Sequence, residues 1–352
     1  MKVLLGLLAS PLHDTLLDVE RATFFPGESP TVSQDENAYT PLTGATPDGV
    51  PLARNRLPAT DLMPWVSRVM AALADAPVDA MSTGYLCNDA GYIRTAIGAD
   101  WTTKTADGLL PLRDESFICG QHTQAMELTY RGPVIVAGIM LKPGAMRAIW
   151  GIDDGALIDR IKPMALAGID DRALTGLYTR GMSADSWLEA IEGWLRHEIA
   201  TRQPAKPDYL AQRLEQAAFA DPNIAPGEFC AREGVLPRQL QRVCKRSFGM
   251  SPKHVLRRAR VLDLAARMCG VADAQEEEEF MLRYFDQSHL IRDFSEFFGS
   301  TPRQFMDNRQ PLLTLSLEIR QARRLELLDR IAPDAVRPWM RQEFAPPLRR
   351  TA

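Results

Sequence analysis

The clearest chemical pattern in the sequence is a row of basic and amide side chains near residue 240. Arg238, Gln241, Arg242 and Lys245 stand at positions i, i+3, i+4 and i+7, so a helix would place them on one face. Arg and Gln side chains can each form two hydrogen bonds to the edge of one base, and Lys and Arg neutralise phosphate charge. The pattern favours contact with nucleic acid. A solvated basic face on a helical bundle is the alternative.

The helix predicted to carry this face has an apolar side and a defined start. Its inward stripe consists of Leu240, Val243, Cys244 and Phe248. The helix begins at Pro237, and residues 224–233 before it form another predicted helix that ends at Gly234. Two helices joined by a tight glycine turn make a helix-turn-helix, whose second helix can lie in the major groove of DNA.

This segment recurs once, fifty residues further along the chain. Residues 239–252 return as residues 289–302, with Leu, Arg, Phe, Gly and Pro in register. Ser251 becomes Thr301, and a basic residue follows each copy, Lys253 and then Arg303. Each copy predicts a helix that ends at a glycine in the left-handed conformation, followed by a helix with a Ser or Thr cap and a first-turn proline.

The second copy predicts a second exposed surface. On a helix over residues 286–298, Leu290, Phe294 and Phe298 would face inward. The outward positions of that helix are Gln287, Ser288, Ile291, Arg292 and Ser295. The repeat therefore predicts two equivalent surfaces rather than one isolated basic helix.

Residues 208–310 resemble the bipartite DNA-binding domain of the AraC/XylS family of bacterial transcription regulators. The resemblance is carried by residues 237–242, 248–253, 285–294 and 298–302. It implies two helix-turn-helix units joined by a long helix, here about residues 252–268, with both recognition helices in successive major-groove faces of one double-stranded DNA site. The implied base-reading residues are Arg238, Gln241, Arg242, Lys245, Gln287, Ser288, Ile291 and Arg292. The implied phosphate contacts are Lys253, Arg257 and Arg303.

Two positions differ from the family pattern. Leu236 stands where a Ser or Thr usually caps the first recognition helix, and its side chain cannot accept a hydrogen bond from a backbone amide. Arg283 stands where the second turn usually has a glycine. The glutamates at 276–279 follow Asp273 in a spacing that favours a capping box, and an acidic patch for a protein partner is the alternative.

Charge is distributed unevenly between the two units. Residues 208–260 contain ten Lys and Arg against five Asp and Glu, a net charge of +5, whereas residues 261–310 contain five against ten, a net charge of −5. Phosphate attraction is therefore expected mainly from the first unit and the start of the joining helix, where Lys253, Arg257, Arg258 and Arg260 cluster.

The composition limits the classes of protein that fit. The 352 residues include 45% hydrophobic residues and carry a net charge of −4, which excludes a generally basic coat for nucleic acid. Five cysteines without CxxC spacing favour a reducing cytoplasm and no metal site. The apolar segment 1–9 is too short to span a bilayer, so we expect a cytoplasmic protein with no membrane partner.

The N-terminal half is predicted to be β-rich, which makes the chain α+β. Residues 26–64 are expected to be irregular, residues 61–75 helical, and the short strands to lie at 91–97, 116–120, 125–130 and 133–141. Residues 120–144 resemble the cupin-like domain of some AraC-type regulators, in which a β-barrel holds an effector. The expected domains are residues 1–200 for effector response and dimerisation, a linker at 201–208, the DNA-binding domain at 209–310, and a helical extension and tail at 311–352.

No catalytic or cofactor site is expected in the N-terminal half. A metal cupin needs about three converging histidines and a glutamate, but His13, His122 and His197 are widely separated. His122 is expected to be a hydrogen-bonded residue at a strand edge. The alternative from another functional class is a ligand-binding or enzymatic β-domain whose helical appendage no longer binds DNA.

An amphipathic helix is predicted over residues 184–200, capped by Ser183. Its apolar stripe consists of Trp187, Ile191, Trp194 and Leu195. Packing in the N-terminal core and contact with a second copy of the chain are the two interpretations of that stripe. The further possible partners of the chain are a small-molecule effector, RNA polymerase and a second copy of the chain in a homodimer.

Overall fold

The computed structural model describes residues 53–74, 81–269, 271, 287–307 and 311–331. It confirms the α+β class, with a β-rich N-terminal domain of two antiparallel sheets followed by a helical C-terminal region. Of the segment predicted to be irregular over residues 26–64, residues 26–52 lie outside the described residues, and Ala53–Arg56 forms a strand paired with residues 69–72. The turn at residues 276–283 also lies outside the described residues.

The strands form a larger and a smaller antiparallel sheet. Their bounds are β1 Ala53–Arg56, β2 Val66–Ala74, β3 Met81–Leu86, β4 Tyr92–Ile97, β5 Trp101–Thr105, β6 Gly108–Leu112, β7 Glu115–Cys119, β8 Met126–Arg131, β9 Val134–Leu141 and β10 Ile161–Pro163. The larger sheet has the order β1-β2-β9-β4-β7-β10, and the smaller has the order β3-β8-β5-β6.

The helices mostly follow the strands. Their bounds are α1 Ala145–Trp150, α2 Arg172–Thr175, α3 Ala184–Arg202, α4 Tyr209–Ala220, α5 Pro226–Glu233, α6 Pro237–Ser247, α7 Pro252–Met268, α8 Gln287–Phe298, α9 Pro302–Asp307 and α10 Pro311–Ile331. Since α3 ends at Arg202 and α4 begins at Tyr209, the predicted linker at 201–208 is reduced to residues 203–208.

Both faces of the larger sheet are covered. All eight residues of β9 are buried, and β9 pairs with β2 on one side and with β4 on the other. One face packs against α1 and α3, and the other face shares an apolar core with the smaller sheet and with α10. A strand covered on both faces is apolar along its whole length rather than alternating.

The helix predicted at residues 61–75 is wrong. The chain there forms a short 3-10 turn at Thr60–Leu62 and then β2, which pairs with β1 and β9. The segment from Val66 to Ala74 is rich in Ala and apolar at nearly every position, because it is buried on both faces of the sheet. A short apolar run of this kind does not distinguish a buried strand from a helix.

The other predicted elements of this half are found nearly where they were expected. The four predicted strands correspond to β4, β7, β8 and β9, and the short helix after Gly144 is α1. Helix α3 begins after Ser183, whose side chain accepts a hydrogen bond of 3.1 Å from the backbone N–H of Ser186. Strands β1, β3, β5, β6 and β10 were not individually predicted.

The apolar stripe of α3 lies in the core of its own domain. Trp187, Ile191 and Leu195 are at most 1% exposed, and Trp194 is half-buried with its ring stacked on Trp150 at 6.3 Å. The structure therefore assigns Trp187, Ile191 and Leu195 to core packing rather than to a contact with a second copy of the chain.

Helix α10 is an integral part of the fold. Leu312, Leu315 and Ile319 belong to the core between the two sheets, while Leu313 and Leu317 pack in the core of the second DNA-binding unit. One helix thus contributes to the core of both domains, whereas residues 311–352 were expected to be an extension beyond them.

Candidate nucleic-acid interface

The first helix-turn-helix unit forms as its sequence pattern predicted. Helix α5 ends at Gly234, whose φ of 65° is in the left-handed region that glycine favours. Helix α6 begins at Pro237, and Leu240, Val243 and Cys244 on its inner face are buried. These contacts fix the orientation of α6 against α5 and therefore determine which face of α6 remains outside.

The outer face of α6 carries the predicted base-reading residues. Arg238, Gln241, Arg242 and Lys245 are all exposed. The Lys245 ammonium lies 3.5 Å from the carbonyl oxygen of Gly249, within the same unit. The structure brings the four polar side chains onto one continuous helix face, the arrangement that reading base edges in a groove requires.

The start of α6 is capped without a hydroxyl side chain. Leu236 is exposed and offers no acceptor, but its backbone N–H donates to Oε1 of Gln239 at 2.8 Å. This is the half of a capping box in which the third helical residue reaches back to the cap residue. Gln239 thus satisfies one amide at the helix start, although Leu236 lacks the usual cap oxygen.

The predicted recognition helix of the second unit corresponds to α8. Leu290, Phe294 and Phe298 are buried as predicted, and Phe294 contacts Phe298 and Phe305 with ring centroids 4.7 and 5.1 Å away. Ile291 is 48% exposed and Arg292 is exposed, so both lie on the outer face. The side chains of Gln287 and Ser288 are outside the described residues.

The joining helix α7 runs from Pro252 to Met268, as the sequence predicted. Ser251 caps it, with Oγ accepting from the backbone N–H of His254 at 3.3 Å, and Thr301 caps α9 in the same way at 3.3 Å. Lys253 and Arg303 are exposed in the first turns of the two capped helices. The two predicted phosphate contacts therefore occupy equivalent positions in the two units.

The other basic residues of α7 have protein partners. Arg257 is half-buried and donates to Oε1 of Glu296 at 2.7 Å, so it connects α7 to α8. Arg258 is buried, and Arg260 donates to the carbonyl oxygen of Pro222 at 2.8 Å. Arg257, Arg258 and Arg260 thus contact other helices and the N-terminal domain, and Lys253 remains exposed.

Arg258 joins the DNA-binding domain to the N-terminal domain. Its guanidinium donates to the carbonyl oxygens of His122 and Asp89 and to Oε1 of Gln121, at 3.1, 3.0 and 2.8 Å. Nε2 of Gln121 in turn donates to the carbonyl oxygen of Ser247 in α6 at 2.9 Å. No local sequence pattern predicts these contacts, because they join residues more than 120 positions apart.

Three arginines of α10 add a second connection between the domains. Arg320 is paired with Asp89 and Asp263, and Arg323 with Asp89 and Glu215. Burial alone would raise the pKa of Asp89, but Arg323 and Arg320 beside it lower that pKa below its usual value. Arg324 donates to the carbonyl oxygen of Phe219 at 3.0 Å.

His122 is a structural residue. It is fully buried, and its ring nitrogens lie 3.2 Å from the backbone nitrogen and from Nδ2 of Asn88. Burial, together with the charge of Arg94, lowers the pKa of His122 to about 3, so the ring is neutral near pH 7. The prediction of a hydrogen-bonded residue was right, but its place is the interior rather than a strand edge.

The cysteines and acidic residues of the described ranges form no metal site. All five cysteines are buried and unpaired by disulfides. Within residues 53–331, apart from the gaps in the described ranges, no three His, Cys, Asp or Glu side chains are grouped as metal ligands. In the same residues no helix is long and apolar enough to cross a membrane.

Two family descriptions match separate parts of the chain. Residues 229–308 match the family described as "Helix-turn-helix domain", and residues 55–163 match "Domain of unknown function (DUF6597)". The first match spans helices α6 and α8, and the second spans nearly all of the strands. No curated protein matches the chain.

Several solved structures are similar to this chain at low sequence identity. The apo form of a ToxT variant from Vibrio cholerae strain SCE256 is 9% identical, with 72% of this chain and 99% of that chain covered at a TM-score of 0.41. Wild-type ToxT of the same strain with a bound unsaturated fatty acid is 9% identical, covering 68% and 94% at a TM-score of 0.40. The AraC-like transcriptional activator CuxR is 13% identical, covering 60% and 86% at a TM-score of 0.26.

The family match falls on the segment from which the resemblance to AraC/XylS regulators was recognised. It covers the glycine turn after α5, helix α6, the joining helix α7 and helix α8. The resemblance inferred from the repeated motif is thereby confirmed for the C-terminal region. The chain carries an AraC-type helix-turn-helix domain behind a β-rich N-terminal domain, and this domain marks it as a DNA-binding transcription regulator.

Proposed function

We propose that the chain binds one specific DNA site through two recognition helices, α6 and α8, placed in successive major-groove faces. The observation that carries this proposal is the exposed row of Arg238, Gln241, Arg242 and Lys245 on a helix whose opposite face is buried. Side chains of these types read base edges directly, and Arg forms the commonest specific contact to guanine.

The second unit supports the same function with a different surface. Helix α8 exposes Ile291 and Arg292, and its first turn carries Gln287 and Ser288. An exposed isoleucine beside an arginine suits contact with a thymine methyl group next to a hydrogen-bonded base. We therefore assign base reading to Gln287, Ser288, Ile291 and Arg292 and phosphate contact to Lys253 and Arg303.

The test of the first helix is a binding measurement on two DNA populations. Fluorescence anisotropy of the full chain would be measured on a duplex selected for binding and on random duplexes at one salt concentration. Replacing Arg242 by Ala should weaken binding to the selected duplex by roughly 1–3 kcal/mol and relax the preference at one base pair. An equal loss on every duplex would make Arg242 a phosphate contact only.

The matched control replaces an exposed arginine of the N-terminal domain, so that the protein loses the same charge as in Arg242→Ala. Arg131 is exposed on β8 of the N-terminal domain and lies 3.7 Å from Asp100. Arg131→Ala should leave both affinities unchanged. If it weakens binding as much as Arg242→Ala does, the general charge of the protein rather than the α6 face attracts the DNA.

We further propose that the N-terminal domain responds to a small-molecule effector. The support is an apolar pocket between its two sheets, lined by side chains from both sheets and from α10. Contact with RNA polymerase and association into a homodimer stay predictions from the family resemblance.

A further inference from the structure

The repeat places the residues of α6 and α8 in one-to-one correspondence. Because residues 239–252 return as residues 289–302, each residue of α6 corresponds to the residue fifty positions later in α8. The inner faces agree, since three pairs of buried apolar residues stand at this offset: Leu240 and Leu290, Cys244 and Phe294, and Phe248 and Phe298. The outer faces of the two helices can therefore be compared residue by residue.

The turns that follow the two helices are equivalent as well. Gly249 and Gly299 both have a φ in the left-handed region. Ser251 and Thr301 each cap the next helix by accepting a hydrogen bond of 3.3 Å from the backbone N–H three residues later. Matching core contacts and matching turns give α6 and α8 the same orientation within their own units.

Two neighbouring positions on the outer faces behave differently between the units. Arg242 corresponds to Arg292, and both side chains are exposed. Gln241 is exposed on α6, and its counterpart on α8 is Ile291, which is 48% exposed. One position is thus unchanged between the two units, whereas the position beside it changes from an amide to an apolar side chain.

These side chains select different bases in the major groove. Arg donates two hydrogen bonds to O6 and N7 of guanine, and Gln forms two hydrogen bonds with N6 and N7 of adenine. The side chain of Ile has no polar atom, so the group that it can contact selectively is the C5 methyl group of thymine. The change from Gln241 to Ile291 therefore exchanges adenine for thymine at one equivalent position.

The remaining outer positions make the second unit depend more on that apolar contact. Arg238 and Lys245 complete the outer face of α6. Their counterparts in α8 are Ser288 and Ser295, so three of the four compared residues are cations in α6 and only one is a cation in α8. With fewer cations to attract the phosphate backbone, α8 gains more of its binding from contacts to the bases.

We propose that the two DNA half-sites share a guanine, read by Arg242 and Arg292, and differ at the neighbouring position, where Gln241 selects adenine and Ile291 selects thymine. Ile291 is then the specificity-determining residue that distinguishes the second half-site from the first. The inference rests on the proposed binding of α6 and α8 to one DNA site, and it names the bases that the two helices select.

The first test exchanges the specificity of the second unit. Bound duplexes would be selected from a random library with the full wild-type chain and with Ile291→Gln. The wild type should select adenine in one half-site and thymine at the equivalent position of the other, whereas Ile291→Gln should select adenine in both. Selection of thymine by the variant, or no preference by the variant at that position, would overturn the equivalence of the two faces.

The second test removes the methyl group from the DNA. Deoxyuridine would replace the selected thymine, and the affinity of the full chain for both duplexes would be measured by fluorescence anisotropy at one salt concentration. The wild type should bind the deoxyuridine duplex roughly two- to fourfold more weakly, as expected for the loss of one buried methyl group. Ile291→Ala should bind the two duplexes equally. Equal binding of both duplexes by the wild type would overturn the contact.

The matched control truncates an exposed aliphatic side chain outside the DNA-binding domain. Leu109 is 75% exposed on β6 of the N-terminal domain. Leu109→Ala should keep the difference between the thymine and deoxyuridine duplexes. If Leu109→Ala abolishes that difference as Ile291→Ala does, the effect does not arise from Ile291 and the assignment fails.

The selection also separates this inference from the proposed function on which it rests. A single selected half-site that is unaffected by Arg292→Ala would reject the binding of two helices and, with it, the assignment of Ile291. Two selected half-sites with the same base at the compared position would leave the two-helix function standing and reject the assignment of Ile291 alone.

Discussion

Gly249 and Gly299 follow α6 and α8 at equivalent positions of the repeat. Gly249 and Gly299 have φ values of 68° and 67°, as the predicted left-handed caps require. Their surroundings differ, because a Cβ atom on Gly249 would lie 2.2 Å from Cγ1 of Ile158, whereas a Cβ atom on Gly299 would have no neighbour within 4 Å. Gly249 therefore allows a close contact between the first unit and the N-terminal domain.

Replacing each glycine by alanine should separate the stability lost through backbone strain from the stability lost through the domain contact. Gly299→Ala should lower the free energy of unfolding by about 1 kcal/mol, since only the left-handed backbone is penalised. Gly249→Ala should cost a further 1–3 kcal/mol or so, because the methyl group overlaps Ile158. Urea unfolding of the two variants measures the difference. Equal losses would mean that the contact around Ile158 adds nothing to stability.

A buried carboxyl group at the same domain contact predicts that the free energy of unfolding depends on pH. Asp154 is 3% exposed, and burial raises its pKa from 3.8 to about 8. The folded state therefore holds a proton that the unfolded state releases, so stability from this group declines as the pH rises from about 4 to about 8. The neighbouring Gly155 would place a Cβ atom 2.7 Å from the carbonyl oxygen of Lys245, so this turn packs tightly on α6.

The measurement compares wild type with Asp154→Asn across pH. Urea unfolding between pH 5 and pH 8 should show the wild type losing stability relative to the variant, by up to roughly 1.4 kcal/mol per pH unit. Other titrating groups are common to both proteins and cancel in the difference. A difference that does not change with pH would show that Asp154 is ionised in the folded state.

Lys253 and Arg257 provide a matched pair for the salt dependence of DNA binding. Lys253 is exposed, whereas Arg257 is occupied by Glu296. Lys253→Ala should reduce the slope of log affinity against log salt by about one, as expected for one lost phosphate contact. Arg257→Ala should change the slope much less and should act on site preference by loosening α8. A larger slope change for Arg257→Ala would reverse the two roles.

At the scale of elements, local patterns predicted the helices α6, α7 and α8 better than the strands of the N-terminal domain. The apolar stripe, proline start and glycine end of α6 are all within one short segment, so the sequence contains the whole signal for that helix. Strand β2 depends on partners at residues 53–56 and 134–141, and its own sequence does not contain them. This is why β2 was mistaken for a helix.

Periodicity also identified a helix face without identifying what the face contacts. Arg320, Arg323 and Arg324 have the same i, i+3, i+4 spacing as Arg238, Gln241 and Arg242. The first set is buried among carboxylates and a backbone carbonyl, whereas the second set is exposed. The difference arises from long-range packing, which spacing alone cannot reveal. For the same reason, the sequence pattern did not indicate the protein contacts of Arg257 with Glu296 and of Arg258 with His122.

At the scale of the whole molecule, α10 makes the domains depend on each other. Removing residues 311–352 would open the core between the sheets and the core beneath α8, because α10 contributes to both. It would also leave Asp89, Glu215 and Asp263 without their arginine partners. A chain ending at residue 310 should therefore have a melting temperature lower by at least 10 °C, since losses of several buried leucines exceed a few kcal/mol. An unchanged melting temperature would show that α10 is a peripheral helix.

The most direct test of the central claim is a methylation-protection footprint of the full chain on a selected DNA site. Two recognition helices in successive major-groove faces should protect two patches about one helical turn, roughly 10 base pairs, apart. Arg242→Ala should weaken one patch, and Arg292→Ala should weaken the other. A single protected patch that responds to Arg242→Ala but not to Arg292→Ala would contradict the two-helix account.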